Sequence, residues 1–575
     1  MRFFEPGNHT FEQLVDGFSW DVPEFFNIAQ ACCIRHAESV VTATHTALVC
    51  VDESNVADAS ADVRYTFEQL HHLSNRLANA LKHLGCSTGD RVAIVLPQRV
   101  ETAIAHIAAH KLGAVSLPLS VLFGSEALQH RLADSGAKVV IASADHATTL
   151  SNLSSQLPQL QHVVLCDSDS DSDSDSHSHE ETSDTYGFWQ LIDGFEPEFT
   201  CVETRADDPA CLIYTSGTTG PPKGALIAHR SMIGNLPGFE LSLDFFPQPD
   251  DVFFTPADWA WTGGLFDGLL PTLFYGMPVV GYDYRKFQPL QILNLLSRLK
   301  VTCGFFPPTA LKMLRSVKDI RKSYPLQLRS IMSAGEMVGE ELFEWARLEL
   351  GVVINEMYGQ TEHNYMVGNC SSIMPPKPGS MGKAYPGHRL EVLNEDGTFA
   401  AVGESGEFVA HQNDAVHFLG YWKQPEATQK KYSADWFHTG DVGYKDSEGY
   451  LWFTGRKDDV ITSSGYRIGP GEIEDSILKH SAVLQVAVIG VPDPAGIRGD
   501  IVKAFVVLRD GFDSSQTLAE DIKNTVRKQL SAHEYPRQVE FIDSLPITTT
   551  GKVRRLELRA RENARREANL DLKNN

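Results

Sequence analysis

The 575-residue sequence predicts an α/β protein with a large N-terminal part and a smaller C-terminal α+β unit. Three observations carry that prediction. Apolar runs of strand length alternate with segments of helical periodicity before residue 210. From there to residue 457, strands, glycines and aromatics crowd together. After G-R-K-D-D (Gly455 to Asp459) the pattern becomes a short series of strands around one helix.

The elements follow in order. T-F-E-Q (Thr66 to Gln69) is a capping box, with Thr66 as cap and Gln69 at the third helical position. Helical spacing continues to Leu84, and Gly85 stops it. Residues 91–97 read as a strand, 98–112 as a helix ending near Gly113, and 126–134 as a helix. Residues 138–143 and 162–166 read as strands. This alternation implies a parallel sheet covered on both faces. Residues 167–181, D-S-D-S-D-S-D-S-D-S-H-S-H-E-E, have no apolar groups to offset the entropy of ordering. They read as a solvated, disordered insertion, with metal binding by Asp and His as the alternative. The C-terminal unit reads as strands at 485–491, 502–508 and 538–542 and a helix at 518–530. The expected division is 1–456, a hinge at 457–459, and 460–575.

An apolar content of 42% fits a soluble globular protein. The net charge of −24 argues against binding nucleic acid or an anionic membrane, which needs basic patches. The nine cysteines include no C-x-x-C, zinc spacing or disulfide framework, and read as small buried hydrophobes. The start, M-R-F-F-E-P-G-N-H-T, lacks a signal-peptide pattern, and no apolar run reaches the ~18 residues of a membrane span. A cytoplasmic location is expected.

Chemistry begins at Y-T-S-G-T-T-G-P-P-K-G, Tyr214 to Gly224. Backbone N–H groups freed by glycine, and the Ser and Thr hydroxyls, can cradle phosphate oxygens, and Lys223 can neutralise charge. A solvated loop lysine is the plain alternative. The stretch departs from G-x-x-x-x-G-K-[ST], because Pro221 and Pro222 separate the last glycine from the lysine. The prolines stiffen the exit, so the loop is expected to close over phosphates rather than begin a helix beneath them.

Further motifs follow: S-A-G-E-M (Ser333 to Met337), E-M-Y-G-Q-T-E (Glu356 to Glu362) and W-F-H-T-G-D (Trp436 to Asp441). Then come G-R-K-D-D-V-I-T-S-S-G-Y-R-I-G-P-G-E-I-E (Gly455 to Glu474) and P-I-T-T-T-G-K (Pro546 to Lys552). In this order, over about residues 30–560, the set resembles the adenylate-forming (AMP-binding) superfamily, and within it the short- and medium-chain acyl-CoA synthetases.

The resemblance implies mixed parallel sheets with helices and a β-rich subdomain in the N-terminal domain, and a mobile C-terminal domain. It implies an ATP-dependent acyl-CoA ligase. A carboxylate attacks the α-phosphorus of ATP, and the thiol of coenzyme A then displaces AMP. Both steps develop negative charge and call for cations and fixed dipoles. Transfer of the acyl group to a separate carrier protein is an alternative. By this resemblance Thr215, Ser216, Gly217, Thr218, Thr219, Gly220 and Lys223 form a mobile phosphate loop. Gly335, Glu336 and Met337 line the adenine slot, and Glu356, Met357, Tyr358, Gly359, Gln360 and Thr361 continue its wall, with the Thr361 hydroxyl near the α-phosphate. Glu362 binds Mg²⁺, a structural ion pair being the alternative. Asp441 accepts from both ribose hydroxyls, and Arg456 contacts ribose and phosphates. Asp458 is the hinge. Lys552 acts in the first half-reaction. Ser464, Gly465, Tyr466, Arg467, Arg498, His533, Glu534 and Tyr535 face coenzyme A. The oligomeric state stays open, a homodimer included.

For the acyl pocket, Gly359 stands where acetate-specific relatives carry a tryptophan, which implies a pocket deeper than acetate. Chain-length selectivity is then graded, at ~1–3 kcal/mol per methylene. His363 and Asn364 depart from T-E-T-G and would narrow or polarise the pocket. Trp259 and Trp261 are pocket walls or ordinary core. An acid of short to medium length, branched or substituted forms included, is expected, with an aryl or polar acid as the alternative.

Overall fold

A computed structural model of the chain describes all residues except 1, 8, 168–183, 216–220, 458, 460, 464–465, 494–499, 530–534, 549–551 and 575. The insertion expected at 167–181 lies outside the described residues except Asp167, which accepts from Arg99 Nη2 at 2.7 Å. The chain forms two compact units, Met1–Arg389 with His411–Asp435, and Leu390–Ala410 with Trp436–Asn575.

The strands in chain order begin with β1 (Thr46–Asp52), β2 (Val63–Thr66), β3 (Arg91–Val95), β4 (Val115–Pro118), β5 (Val139–Ser143), β6 (His162–Cys166) and β7 (Asp184–Gly187). They continue with β8 (Pro209–Thr215), β9 (Lys223–Ala228), β10 (Phe253–Phe254), β11 (Val279–Asp283), β12 (Cys303–Phe305) and β13 (Ser330–Ser333). Next are β14 (Ile354–Gln360), β15 (His363–Gly368) and β16 (Lys383–Ala384). After β17 (Leu390–Leu393) and β18 (Gly406–His411), which begin the second unit, comes β19 (Gly420–Tyr421).

The first unit holds two sheets. One has the order β19-β9-β8-β4-β3-β5-β6-β7 and the other β16-β15-β14-β13-β12-β10-β11-β1-β2. From β8 through β7 the first sheet is parallel, as the alternation predicted. β9 and β19 add an antiparallel edge. The apolar faces fill two cores, one around Val95, Leu117, Val140 and Leu212, the other around Val49, Val280, Ile331 and Ile354.

Helix α1 (Phe67–His83) opens on the expected box, with Thr66 and Gln69 each bonding the other's backbone. Helix α2 (Val100–Lys111) is buried along its whole length. Lys111 is buried too, because Nζ donates to His71 O (2.9 Å), Ser74 Oγ (2.8 Å) and Asn75 Oδ1 (2.6 Å). A buried ammonium survives only when its donors are matched. Helix α3 (Ser231–Ser242) is also buried throughout. All nine cysteines are unpaired thiols and seven are buried.

In the second unit β17 and β18 join the antiparallel hairpin β20 (Trp436–Lys445) and β21 (Leu451–Arg456). There follow β22 (Ile461–Ser463), β23 (Tyr466–Ile468), helix α4 (Pro470–Leu478), β24 (Val483–Pro492), β25 (Asp500–Leu508), helix α5 (Gln516–Gln529), β26 (Gln538–Phe541) and helix α6 (Arg555–Asn574). Compactness therefore groups β17, β18, β20 and β21 with the later strands and helices, whereas the expected division at 456–459 separates them. Close packing explains the grouping, since a Cβ on Gly469 would stand 2.0 Å from Thr454 O.

Helix α6 is rich in arginine, and its first turns are packed against the rest of the unit. Leu558 is buried, Arg555 Nη2 donates to both oxygens of Glu474 at 2.7 Å, and Arg559 pairs with Asp459.

Candidate functional site

The glycine-rich loop joins two antiparallel strands. Thr215 ends β8 opposite Lys223, which opens β9, and Thr215 Oγ1 donates to Lys223 O at 3.4 Å. The lysine begins a strand rather than a helix, as the proline pair implied. Ser216, Gly217, Thr218, Thr219 and Gly220 lie outside the described residues.

Beside β9, β19 carries Tyr421. Lys223 Nζ lies 5.3 Å from the centre of the Tyr421 ring, a cation–π distance. The Tyr421 hydroxyl donates to Glu362 Oε1 at 2.6 Å, and Glu362 is buried. The edge of the first sheet thus meets the end of β14 in the second through a cation, a ring and a carboxylate.

Thr361 and Glu362 form the two-residue turn between β14 and β15, since Gln360 pairs with His363. A tight turn presents both side chains beyond the strand ends. Thr361 Oγ1 is 3.3 Å from Thr262 Oγ1. Upstream, β13 ends where Ser333 pairs in parallel with Glu356, and the chain runs on from there through Gly335, Glu336 and Met337. Gly335 has φ +96°, a conformation costly for a residue with a Cβ. Glu336 accepts from Thr309 Oγ1 at 3.2 Å, and Val338 N donates to Glu356 Oε1 at 3.3 Å.

The residues expected around the acyl group have separate surroundings. A Cβ on Gly359 would stand 2.5 Å from Tyr365 N, so strand packing requires this glycine whatever lies beyond it. Trp259 has no exposure, and its buried Nε1 has no hydrogen-bond partner among the described residues, whereas half-buried Trp261 meets the Phe123 ring edge-on at 5.8 Å. Asn364 Nδ2 donates to Asp267 Oδ1, and to Asn235 Oδ1 on α3 at 3.4 Å. Burial pushes Asp267 up to about 8 against the opposing Asn364 bond. Asp267 sits in the π-helical turn Leu265–Leu269, between Thr262–Gly264 and Leu270–Phe274.

His363 points into a different interior network. Its Nε2 is 3.2 Å from Asp414 Oδ2 and its Nδ1 2.8 Å from His417 Nδ1. His388 Nδ1 also meets Asp414 Oδ2, at 2.8 Å, and His417 Nε2 meets the Tyr432 hydroxyl. Burial works against the Asp414 charge, but the imidazoles of His388 and His363 outweigh it and hold the carboxyl well below its ordinary range.

In the second unit Asp441 faces Arg456 across β20 and β21, with Nη1 3.2 Å from Oδ1. Glu407 accepts from Gly440 N (3.1 Å) and Lys457 Nζ (2.9 Å) and meets His438 Nδ1 (3.1 Å). Lys552 is exposed in a turn where its N donates to Thr548 Oγ1 (3.0 Å) and its O accepts from Thr548 N (2.7 Å). Tyr466 and Arg467 lie on β23, opposite Ser463 and Thr462. Half-buried Tyr535 lies between Arg527 and Arg537, whose guanidinium carbons are 5.4 and 4.2 Å from its ring centre. Asp458, Ser464, Gly465, Arg498, His533 and Glu534 lie outside the described residues.

The sequence reading missed Tyr421, Thr262, Asp267 and Glu407. Tyr421 sits 59 residues from the glutamate it holds, and no local spacing links the two.

The two mixed sheets, the separate α+β unit and the motif order place the chain in the class of enzymes built around AMP. The chain belongs to the AMP-binding enzyme family, matching it over residues 37–422 and the family's C-terminal domain over 472–552. It is 33% identical to the uncharacterized acyl-CoA ligase YtcI of Bacillus subtilis, covering 90% of this chain and 93% of that one. It is 32% identical to the mitochondrial acyl-coenzyme A synthetase ACSM3 of Rattus norvegicus, covering 96% and 93%. Among solved structures, an acyl-CoA synthetase of Brucella canis is 32% identical with TM-score 0.72, over 97% of this chain and 99% of that one. The anthranilate CoA ligase AuaEII, in complex with anthranoyl-AMP, gives TM-score 0.83 at 27% identity, over 95% and 99%.

Proposed function

We propose that the chain joins a carboxylic acid to coenzyme A using ATP, through an acyl-adenylate, with release of AMP and pyrophosphate. One observation carries the site assignment, namely Lys223, Tyr421 and Glu362 gathered beside the glycine-rich hairpin. In this reading the hairpin closes over the β- and γ-phosphates, and the Thr361 hydroxyl donates at the α-phosphate. Asp441 takes the ribose, and Lys552 serves adenylation alone. Glu362 suits a hard cation, being a buried carboxylate with Oε1 already oriented by a hydroxyl. Magnesium held there would supply positive charge to the phosphate oxygens. Unpaired thiols at all nine cysteines support a reducing compartment, and we place the protein in the cytoplasm. No helix among the described residues is long and apolar enough to cross a membrane.

The acid is of short to medium length, three to eight carbons by order of magnitude, for which each buried methylene contributes about 0.8 kcal/mol. A second reading, a polar or aryl acid, is supported by the buried Asn235–Asn364–Asp267 group. Contacts 262–361 and 267–364 run side by side. Thr262 and Asp267 lie on one helical run, so that group and the threonine pair share it.

The test is acid-dependent AMP release over a panel of carboxylic acids, with and without coenzyme A. Turnover requiring both supports the ligase. AMP release indifferent to coenzyme A points to a carrier protein as acceptor.

A further inference from the structure

Two departures from the family pattern, His363 and Asn364, were expected at the acyl group. His363 instead adjoins the candidate cation ligand. It follows Glu362, while His417 and Phe418 lie shortly before Tyr421. The two segments are zipped together. Phe418 N donates to Glu362 O at 3.0 Å, and His363 and His417 form an isolated antiparallel bridge. The side chains continue the zip through Tyr432, His417, His363, Asp414 and His388.

The backbone that carries Asp414 is held from several sides. Asp414 Oδ1 accepts from Val416 N at 3.0 Å. Arg230 Nη1 donates to the carbonyls of Ala415 (2.7 Å) and His417 (2.8 Å), and Ser231 Oγ to that of Val416 (3.2 Å). Across the turn, a Cβ on Gly234 would stand 2.4 Å from Val416 N, so α3 presses directly on this backbone. Asp414 is thereby held between this backbone and two imidazoles, with His388 Nδ1 at 2.8 Å and His363 Nε2 at 3.2 Å from the same carboxylate oxygen.

We propose that His363 and Asp414 are positioning residues for the cation site. Asp414 fixes the His363 imidazole, which holds the Thr361–Glu362 turn in register with Tyr421, so that the Glu362 carboxylate is presented preformed. The proposal rests on the reading of Glu362 as the Mg²⁺ ligand. His363, His388 and Asp414 also bring ligand-type atoms within 4.8 Å of one another, as a metal site would. Both imidazoles meet the same carboxylate oxygen, however, His388 in a hydrogen bond at 2.8 Å and His363 at an ion-pair distance of 3.2 Å, so the carboxylate already serves both rings.

The test uses full-length protein carrying Asp414→Asn, His363→Ala, His363→Gln or, should these fail to fold, His388→Gln. Acid-dependent pyrophosphate release is measured against free Mg²⁺ at saturating ATP, and thioester formation is measured from supplied acyl-AMP. Loss of an outer partner of a metal ligand costs about 10–100-fold in affinity. Asp414→Asn and His363→Ala are therefore expected to raise half-saturating Mg²⁺ at least about tenfold, His363→Gln to recover part of that shift, and the acyl-AMP step to change less than twofold. An unchanged Mg²⁺ requirement, or equal loss in both steps, overturns the proposal. So does stoichiometric zinc in the wild type that vanishes in Asp414→Asn. A wild type that adenylates no acid refutes the ligase reading instead, and a Glu362→Gln variant with normal Mg²⁺ dependence refutes the assignment of Glu362.

Discussion

Tyr421→Phe isolates one hydrogen bond. The hydroxyl donates to Glu362 Oε1 at 2.6 Å in a buried setting, so the bond is short and charge-assisted. A hydrogen bond to a charged group contributes about 1.5–3 kcal/mol. At about 1.4 kcal/mol per factor of ten, its loss is about 10–150-fold in whatever depends on the carboxylate's orientation. The ring survives the substitution, so the Lys223 contact at 5.3 Å and the packing against Phe418 at 5.2 Å are retained. The assay is ATP–pyrophosphate exchange at saturating acid, titrated with free Mg²⁺. The expected result is a half-saturating Mg²⁺ at least about tenfold above wild type. Thermal stability should fall little, and thioester formation from supplied acyl-AMP should be within twofold. A variant with wild-type Mg²⁺ dependence would show that Tyr421 does not orient a metal ligand. Equal loss in both half-reactions would reduce the tyrosine to a structural part.

Three further expectations concern other parts of the chain. Lys552→Ala should abolish acyl-AMP formation while thioester formation from supplied acyl-AMP survives; equal loss in both steps would refute a role confined to adenylation. Gly359→Ala should destabilise by about 1–3 kcal/mol in urea unfolding, because its Cβ meets backbone at 2.5 Å; a neutral substitution would mean that β14 and β15 part readily. Asp267 is pushed up to about 8 when folded and ionises near 4 when unfolded, so the native state holds the extra proton between those values. Stability should therefore fall as pH rises from 4 to 8, at about 1.4 kcal/mol per unit, and Asp267→Asn, which mimics the protonated acid, should remove that part of the slope. Parallel stability–pH curves for the two proteins would refute it.

Much of the fold was legible because it rests on local rules. The capping box at Thr66 and Gln69 satisfies its own backbone, so four residues suffice to place the start of α1. Strand β6 spans the predicted residues because an apolar run between turn residues has few other places to go. The proline pair excluded a helix at Lys223, and the residue opens a strand. Non-local choices were not legible. Nothing in R-R-L-E-L-R-A-R says that Arg559 will meet Asp459, one hundred residues away, because arginine side chains carry no periodic signal for their partners. At Gly359 the resemblance implies a deeper acyl pocket, while the neighbouring strand demands a glycine on its own account, since a Cβ would meet Tyr365 N at 2.5 Å. A glycine reports that something is close, without naming it.

The pair His363–Asn364 shows where sequence reasoning stops in such a site. The two residues are adjacent, and both depart from the family pattern. Yet they stand next to each other on strand β15, where successive side chains point to opposite faces. His363 then faces Asp414, and Asn364 faces Asp267 on the helical run that also carries Thr262. A substitution at 363 should therefore be read first in Mg²⁺ dependence, and one at 364 first in the choice of acid. Exchanging the two readouts, with 363 altering the acid profile and 364 the Mg²⁺ requirement, would mean that the turn is oriented otherwise and that both assignments fall together.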